Sequence, residues 1–164
     1  ALAVYGLVES FISAFRRTFA NQKVDIDWDV TPPSLRTAPM HRAEFESVLF
    51  NFLTNSIKAM SHDGNSKRKI HIRATKSGED IVLLFEDTGQ GIDSSIRDKI
   101  FDPFVTSNFT SESQKLGVGT GIGLKIVADI ASANNGSVRI ATPSDGFTTC
   151  FRFAIPAQKR RKGT

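Results

Sequence analysis

The sequence predicts an α/β (α+β) two-layer sandwich, in which about three helices cover one face of a mixed, mostly antiparallel sheet of about five strands. Segments with helical and with strand periodicity follow each other in the order α, β, α, β, β, α, β, β. Two adjacent strand pairs have connections short enough for hairpins. The length of 164 residues suits one core, so we expect a single domain over residues 1–156.

The composition is that of an ordinary globular domain. Hydrophobic residues make up 40% and charged residues 23% of the chain, which excludes a disordered sequence. The longest apolar run, residues 81–85, is far shorter than the roughly 20 residues that span a bilayer. The single cysteine, Cys150, excludes an internal disulfide and suggests a small buried side chain. We expect a cytoplasmic domain, and a membrane anchor of the full-length protein would lie outside this chain.

The positive net charge has a local origin. The formal charge is +4, and four basic residues stand together at 159–162. Without them, 17 basic and 17 acidic residues remain. We therefore expect a balanced folded body, a basic and disordered tail over residues 157–164, and no nucleic-acid partner.

The first third of the chain predicts a helix, a strand and a second helix. Apolar residues recur every three or four positions over residues 2–19, and they alternate with three aspartates over residues 24–30. Pro32 and Pro33 end this strand. Helical spacing returns over residues 41–60, with Asn51, Asn55 and Lys58 together on another flank.

The remaining elements are shorter. Residues 70–75 and 81–86 predict a hairpin, and a short helix is expected over about residues 94–100. A long stretch over residues 105–123 has little periodicity. A helix over residues 124–133 is expected to stop at Asn134-Asn135-Gly136, and two closing strands, 137–142 and 147–155, flank a turn over residues 143–146.

A glycine-rich segment, Gly117-Val118-Gly119-Thr120-Gly121-Ile122-Gly123-Leu124, leads directly into the last predicted helix. Glycines at alternate positions let a ligand approach the backbone, and the first amides of a helix are unpaired donors. The segment favours a phosphate site, with a flexible hinge as the alternative.

Four separated segments together resemble the GHKL superfamily, the ATP-binding domains of histidine kinases, gyrase, Hsp90-type chaperones and MutL. Residues 51–60 (Asn-Phe-Leu-Thr-Asn-Ser-Ile-Lys-Ala-Met) resemble its N box, and residues 87–91 (Asp-Thr-Gly-Gln-Gly) its first glycine box. Residues 101–104 (Phe-Asp-Pro-Phe) resemble its F box, and residues 119–124 its second glycine box. The resemblance implies a Bergerat fold with an ATP lid over about residues 105–118.

The resemblance also implies the roles of individual residues. Asn55 would be the Mg²⁺ ligand, Lys58 a phosphate contact, and Asp87 the acceptor for the adenine N6 amine. Thr149 would join the adenine contact through water, and Lys115 of the lid would touch the triphosphate. Around these, the expected nucleotide contacts are Gly89, Gly91, Ile92, Gly119, Thr120, Gly121, Ile122, Gly123 and Leu124.

Each assignment has a simpler alternative in the residues alone. Two amides and a lysine on a helix flank are commonly just solvated, and Asp87 before Gly89 also suits a turn. Thr149 suits an ordinary strand, and a lid lysine is commonly solvated. The order and spacing of the four blocks favour the functional assignments.

Asn51 separates the possible reactions. In the hydrolases of the superfamily this position holds a glutamate that acts as general base, and an asparagine cannot take that proton. A neutral histidine already carries a lone pair and can attack the γ-phosphorus without a strong base. The sequence thus resembles the catalytic domain of a two-component sensor histidine kinase, with Asn51, Asn55 and Lys58 as the catalytic set.

The acceptor histidine is expected outside this chain. His41, His62 and His71 lack the acidic neighbour and the downstream Thr/Asn-Pro pattern of a phosphorylated histidine. We expect a monomeric domain that binds ATP but does not phosphorylate itself, and a homodimeric full-length kinase that passes phosphate to a response regulator. The alternatives are a nucleotide-responsive GHKL binding module without phosphotransfer and a GHKL ATPase.

Overall fold

The computed structural model describes residues 1–61, 67–103 and 122–159. Its five strands form one sheet in the order β1-β2-β3-β5-β4, in which β1 and β2 are parallel and the other pairs are antiparallel. The predicted mixed, mostly antiparallel sheet is therefore confirmed. The elements are α1 Val4–Ala14, α2 Arg16–Asn21, β1 Val24–Thr31, α3 Arg42–Ser61, β2 Arg68–Ser77, β3 Asp80–Asp87, a 3₁₀ turn Arg97–Lys99, α4 Gly123–Ala133, β4 Ser137–Ile140 and β5 Thr149–Pro156.

The helices cover one face of the sheet, as predicted. Alternate residues of β2, β3 and β5 point to this face because successive side chains of a strand point to opposite sides. The ring of Phe52 from α3 stacks on Phe151 from β5, with centroids 4.9 Å apart and planes 7° from parallel. The largest fully buried side chains are Phe45, Phe52, Phe85, Phe153, Leu49, Leu53, Met60, Ile70, Ile72, Ile81, Leu83 and Ile155. None of the described helices is long and apolar enough to cross a membrane.

Two predicted helices differ from the structure. The helix expected over residues 2–19 breaks at Phe15, whose backbone leaves the helical region (φ −100°, ψ 11°). The break lets the Phe15 ring lie between Phe11 and Phe50, at centroid distances of 4.8 and 5.8 Å. In place of the short helix expected over residues 94–100, the structure has a 3₁₀ helix of one turn, Arg97–Lys99. No described apolar stripe of this segment is long enough to stabilise a full α-helix.

The folded body continues past its predicted end at Pro156. Ala157 is 8% exposed, its N–H donates to the Glu79 carbonyl at 2.8 Å, and the Gln158 N–H donates to the Arg36 carbonyl at 2.8 Å. These hydrogen bonds extend the folded domain at least two residues beyond the expected end. The side-chain pattern did not predict this, because the end of the domain is determined by backbone hydrogen bonds. Residues 160–164 lie outside the described residues, so the disordered tail stays a prediction.

Candidate nucleotide-binding site

Asp87 is a buried carboxylate at the end of β3, only 1% exposed. The Ser56 hydroxyl of α3 donates to its Oδ2 at 2.6 Å, and the Gly89 N–H donates to its Oδ1 at 2.9 Å. Burial raises the pKa of Asp87, and these two hydrogen bonds act against the rise. Each carboxylate oxygen keeps a further lone pair, so the group is a fixed acceptor beside an apolar core.

Thr149 lies directly opposite Asp87 in the pairing of β3 with β5. It is 4% exposed, and among the described residues its hydroxyl is the buried side-chain polar atom without a hydrogen-bond partner. The hydroxyl is near enough to Asp87 to favour the ionised carboxylate, but their geometry does not amount to a hydrogen bond. A buried unpaired hydroxyl beside a fixed acceptor indicates a ligand or water site.

We expect Thr149→Val to separate binding from stability. Valine fills the same volume and removes an unpaired buried hydroxyl, so the thermal unfolding temperature should stay the same or rise. The affinity for ADP should fall by about two- to tenfold, the worth of one ordinary hydrogen bond. Calorimetric titration with ADP and a thermal melt check both parts. An unchanged ADP affinity would show that Thr149 has a structural role in β5 and no role in nucleotide binding.

The turn after Asp87 lies directly on α3. A Cβ atom on Gly89 would stand 2.7 Å from the Ala59 Cβ and 2.9 Å from the Ala59 carbonyl carbon, closer than real contacts allow. Gly91 has φ +80°, a left-handed conformation that favours glycine. The two glycines of the predicted first glycine box are therefore required by close approach and by backbone conformation, respectively.

Gly89→Ala should destabilise the domain by about 1–2 kcal/mol, since overpacking against Ala59 forces the turn away from α3. Because the displaced turn carries a donor to Asp87, ADP affinity should fall as well. Gly6→Ala is the matched control: Gly6 lies inside α1, and a Cβ there meets nothing within 4 Å, so a small gain of stability is expected. Denaturant unfolding measures both variants. Equal stability of Gly89→Ala and wild type would contradict the close approach.

The predicted flank of α3 is present. The Asn55 Nδ2 donates to the Asn51 carbonyl at 2.7 Å, and the Asn51 Nδ2 donates to the Ser47 carbonyl at 2.8 Å. Both amide nitrogens are thus used within the helix, which leaves the amide oxygens as the atoms available to a ligand. Lys58, one turn after Asn55, is half-buried. This flank offers two neutral oxygens and one cation.

The start of α4 lies against this flank. A Cβ atom on Gly123 would stand 2.5 Å from the Asn51 Oδ1, so the second glycine box and the N box adjoin at these two residues. Ile92 is half-buried and packs on the core, and Leu124 is 6% exposed within the core. Ile122, by contrast, is 37% exposed. Leu124 therefore supports the site through packing.

Four of the predicted nucleotide contacts lie outside the described residues, and their roles stay predictions: Lys115, Gly119, Thr120 and Gly121. Phe104 of the F box and the ATP lid lie outside as well. Cys150 is buried, 1% exposed, as its strand context predicted.

Sequence reasoning missed Ser56 as a partner of Asp87. A signal was present, because Phe52, Ser56 and Met60 follow each other at four-residue spacing on the apolar face of α3. A serine on such a stripe needs a hydrogen-bond partner. The structure supplies it from a residue 31 positions later in the chain.

Comparison with known proteins shows which family this chain resembles. Residues 40–159 match the family described as histidine kinase-, DNA gyrase B- and HSP90-like ATPases. The C4-dicarboxylate transport sensor protein DctB of Rhizobium meliloti is 31% identical over 159 residues, which cover 96% of this chain and 23% of that protein. The signal transduction histidine-protein kinase AtoS of Escherichia coli is 34% identical over 116 residues, 70% of this chain and 17% of that protein.

Solved structures show the same fold. The catalytic domain of histidine kinase ThkA, in a nucleotide-free form, superposes with a TM-score of 0.77 at 22% identity and covers 94% of both chains. Full-length ShkA, in complex with AMPPNP, gives a TM-score of 0.74 at 21% identity and covers 97% of this chain and 31% of that one. The chain thus belongs to the histidine kinase-, DNA gyrase B- and HSP90-like ATPase family, as an ATP-binding catalytic domain of the sensor histidine kinase type.

Proposed function

We propose that the Asp87 carboxylate accepts a hydrogen bond from the adenine amine of ATP, with the Thr149 hydroxyl completing the contact through water. The observation that carries this proposal is a 1% exposed carboxylate held by Ser56 and Gly89, facing a buried hydroxyl that has no hydrogen-bond partner among the described residues. An exocyclic amine is a donor and pairs with an acceptor-only carboxylate. The triphosphate then extends toward the α3 flank and the N-terminus of α4, where Lys58 and helix amides favour anions.

The residues present fit a Mg²⁺ ion bound together with the nucleotide. Mg²⁺ commonly takes one or two protein oxygens, the phosphate oxygens of its substrate, and water. The Asn55 Oδ1 is such an oxygen, because the Asn55 Nδ2 already donates to the Asn51 carbonyl. Among the described residues no cluster of three His, Cys, Asp or Glu side chains could hold a metal by itself, as suits an ion that arrives with ATP. When bound, the ion would neutralise phosphate charge.

We further propose that the bound ATP serves phosphoryl transfer to a histidine on a dimerisation domain outside this chain. A bond forms between the imidazole nitrogen and the γ-phosphorus, the bond to the β–γ bridging oxygen breaks, and ADP leaves with that electron pair. The imidazole then loses its proton to solvent. Asn51 favours phosphoryl transfer to histidine over ATP hydrolysis, because its amide cannot act as a general base for water. Its Nδ2 also already donates a hydrogen bond to the Ser47 carbonyl.

The partners follow from this proposal. The chain spans less than a quarter of DctB and of AtoS, so the dimerisation domain of the same kinase would lie in the rest of the protein. We propose a monomer for the isolated chain and a homodimer for the full-length kinase, which would pass its phosphate to a response regulator. For ThkA, a complex with the response regulator TrrA is known.

Nucleotide titration tests the site. ADP should bind this chain with one-to-one stoichiometry, and IDP, which carries an oxygen in place of the adenine amine, should bind at least about tenfold more weakly because two acceptors would face each other. Equal affinities would contradict the role of Asp87. Steady ATP turnover that Asn51→Ala abolishes would favour the ATPase alternative, and nucleotide binding without transfer in the full-length protein would favour the binding module.

A further inference from the structure

Glu86 is a second buried carboxylate, adjacent to Asp87 but on the opposite face of β3. Successive strand residues point to opposite sides of the sheet, so Glu86 points away from the helices and from the nucleotide site. It is nevertheless only 2% exposed. Burying a charged group costs free energy unless it is hydrogen-bonded. Its partners therefore show what this residue is for.

Glu86 holds the turn that joins β4 to β5. The Ser144 N–H donates to Oε1 at 2.7 Å, and the Ser144 hydroxyl donates to Oε2 at 3.2 Å. The His71 Nδ1 lies 3.4 Å from Oε2, and the His71 ring packs near Phe147 of the same turn at 5.9 Å between centroids. Cys150 stands directly opposite Glu86 in the sheet. Burial first, and then the charge of Glu86, raises the pKa of the Cys150 thiol to about 12.

The turn that Glu86 holds contacts the nucleotide side of the sheet through Thr148. The Phe147 N–H donates to the Ser144 carbonyl at 3.0 Å and closes the turn. The Thr148 N–H donates to the Asp87 carbonyl at 2.9 Å, and its hydroxyl contacts the carbonyls of both Asp87 and Gly89. One turn thus connects the Glu86 carboxylate to the backbone of Asp87 and Gly89.

We propose that Glu86 is a positioning residue for adenine recognition, which acts through Ser144 and Thr148 from the face of the sheet opposite the described helices. By fixing the turn, it sets the backbone on which the Asp87 carboxylate and the Thr149 hydroxyl face each other. Two carboxylate oxygens match the N–H and O–H of a single serine, which an apolar residue of equal volume could not do. The inference rests on the proposed ATP site.

Glu86→Leu and Glu86→Gln test the role of the carboxylate. Leucine fills the space but releases the turn, so the Kd for ADP should rise by about fivefold, because only part of the free energy of the lost charge-assisted hydrogen bonds reaches the nucleotide site through the turn. The Kd for IDP should stay near its wild-type value, so the preference for ADP should fall. Glutamine keeps one oxygen for the Ser144 N–H and should retain most of the preference. Leu84→Ala, two residues earlier on the same face, is the control: it should lower stability without changing the preference.

Thr148→Val removes the hydroxyl that contacts the Asp87 and Gly89 carbonyls, and Thr148→Ser keeps it. Thr148 is exposed, so these variants should fold even where Glu86→Leu does not. Valine should lower the preference for ADP as Glu86→Leu does, and serine should restore it. An unchanged ADP-to-IDP ratio in any folded Glu86→Leu or Thr148→Val sample overturns the inference. Failure of the wild-type chain to prefer ADP would instead overturn the proposed site itself.

Discussion

Asp87→Asn should abolish most of the affinity for ATP while the domain remains folded. The fixed Gly89 N–H keeps the amide oxygen at the Oδ1 position, so an NH₂ group takes the place of Oδ2. The adenine amine then loses an acceptor, at a cost of about 1–3 kcal/mol, or roughly five- to a hundredfold in Kd. Calorimetric titration with ADP and a nonhydrolysable ATP analogue measures the loss.

Stability should change in the opposite direction. Because burial raises the pKa of Asp87 in the folded state, its ionised form costs folding free energy at neutral pH. This cost shrinks as the pH falls through the raised pKa and is gone below the ordinary pKa of 3.8. A neutral asparagine removes the cost at pH 7, so the unfolding temperature should equal or exceed that of wild type. Asp80→Asn, at the exposed start of the same strand, should leave nucleotide affinity unchanged. Wild-type affinity in Asp87→Asn would refute the assignment.

Asn55→Ala should reduce phosphoryl transfer in the full-length kinase by about a hundredfold, since a metal ligand and its charge neutralisation are lost. A separate readout uses this chain alone. Mg²⁺ should strengthen ADP binding to wild type, and in Asn55→Ala this strengthening should disappear while ADP still binds without the metal. Titrations with and without MgCl₂ measure the difference.

Thr54→Ala is the matched control for Asn55→Ala. The Thr54 hydroxyl donates to the same Asn51 carbonyl as the Asn55 amide does, at 3.1 Å, so this variant also removes a side-chain bond to that carbonyl. It should keep both transfer and the Mg²⁺ effect. If the two variants behaved alike, the Asn55 side chain would serve the helix and not the metal.

Local pattern was sufficient for the fold class and for selecting many residues of the candidate site. The period-two alternation of residues 24–30 and the stripe of α3 are local properties, and both elements form as expected. Asp87, Asn55 and Gly89 could be found because each stands in a short motif with a fixed spacing. The break of the first helix at Phe15 could not be predicted, because it depends on the packing of the Phe15 ring against Phe50, 35 positions away.

Long-range partners could not be read from the sequence. Ser56 and Asp87 are 31 positions apart, and Glu86 and Ser144 are 58 apart. Glu86 follows a nearly continuous apolar run in β3, and this run does not show that the described helices cover one face of the sheet and not the other. The strand order β3-β5-β4, which brings Thr149 opposite Asp87, is likewise set by tertiary pairing and not by periodicity.

Transfer of label from γ-³²P-ATP tests the kinase proposal most directly. The gene product that joins this chain to its dimerisation domain should acquire an acid-labile, alkali-stable phosphate, as histidine phosphoramidates are. The isolated chain of 164 residues should bind ATP and acquire none, because His41, His62 and His71 do not resemble acceptors. Label on the isolated chain, or steady release of phosphate by it, would contradict the account.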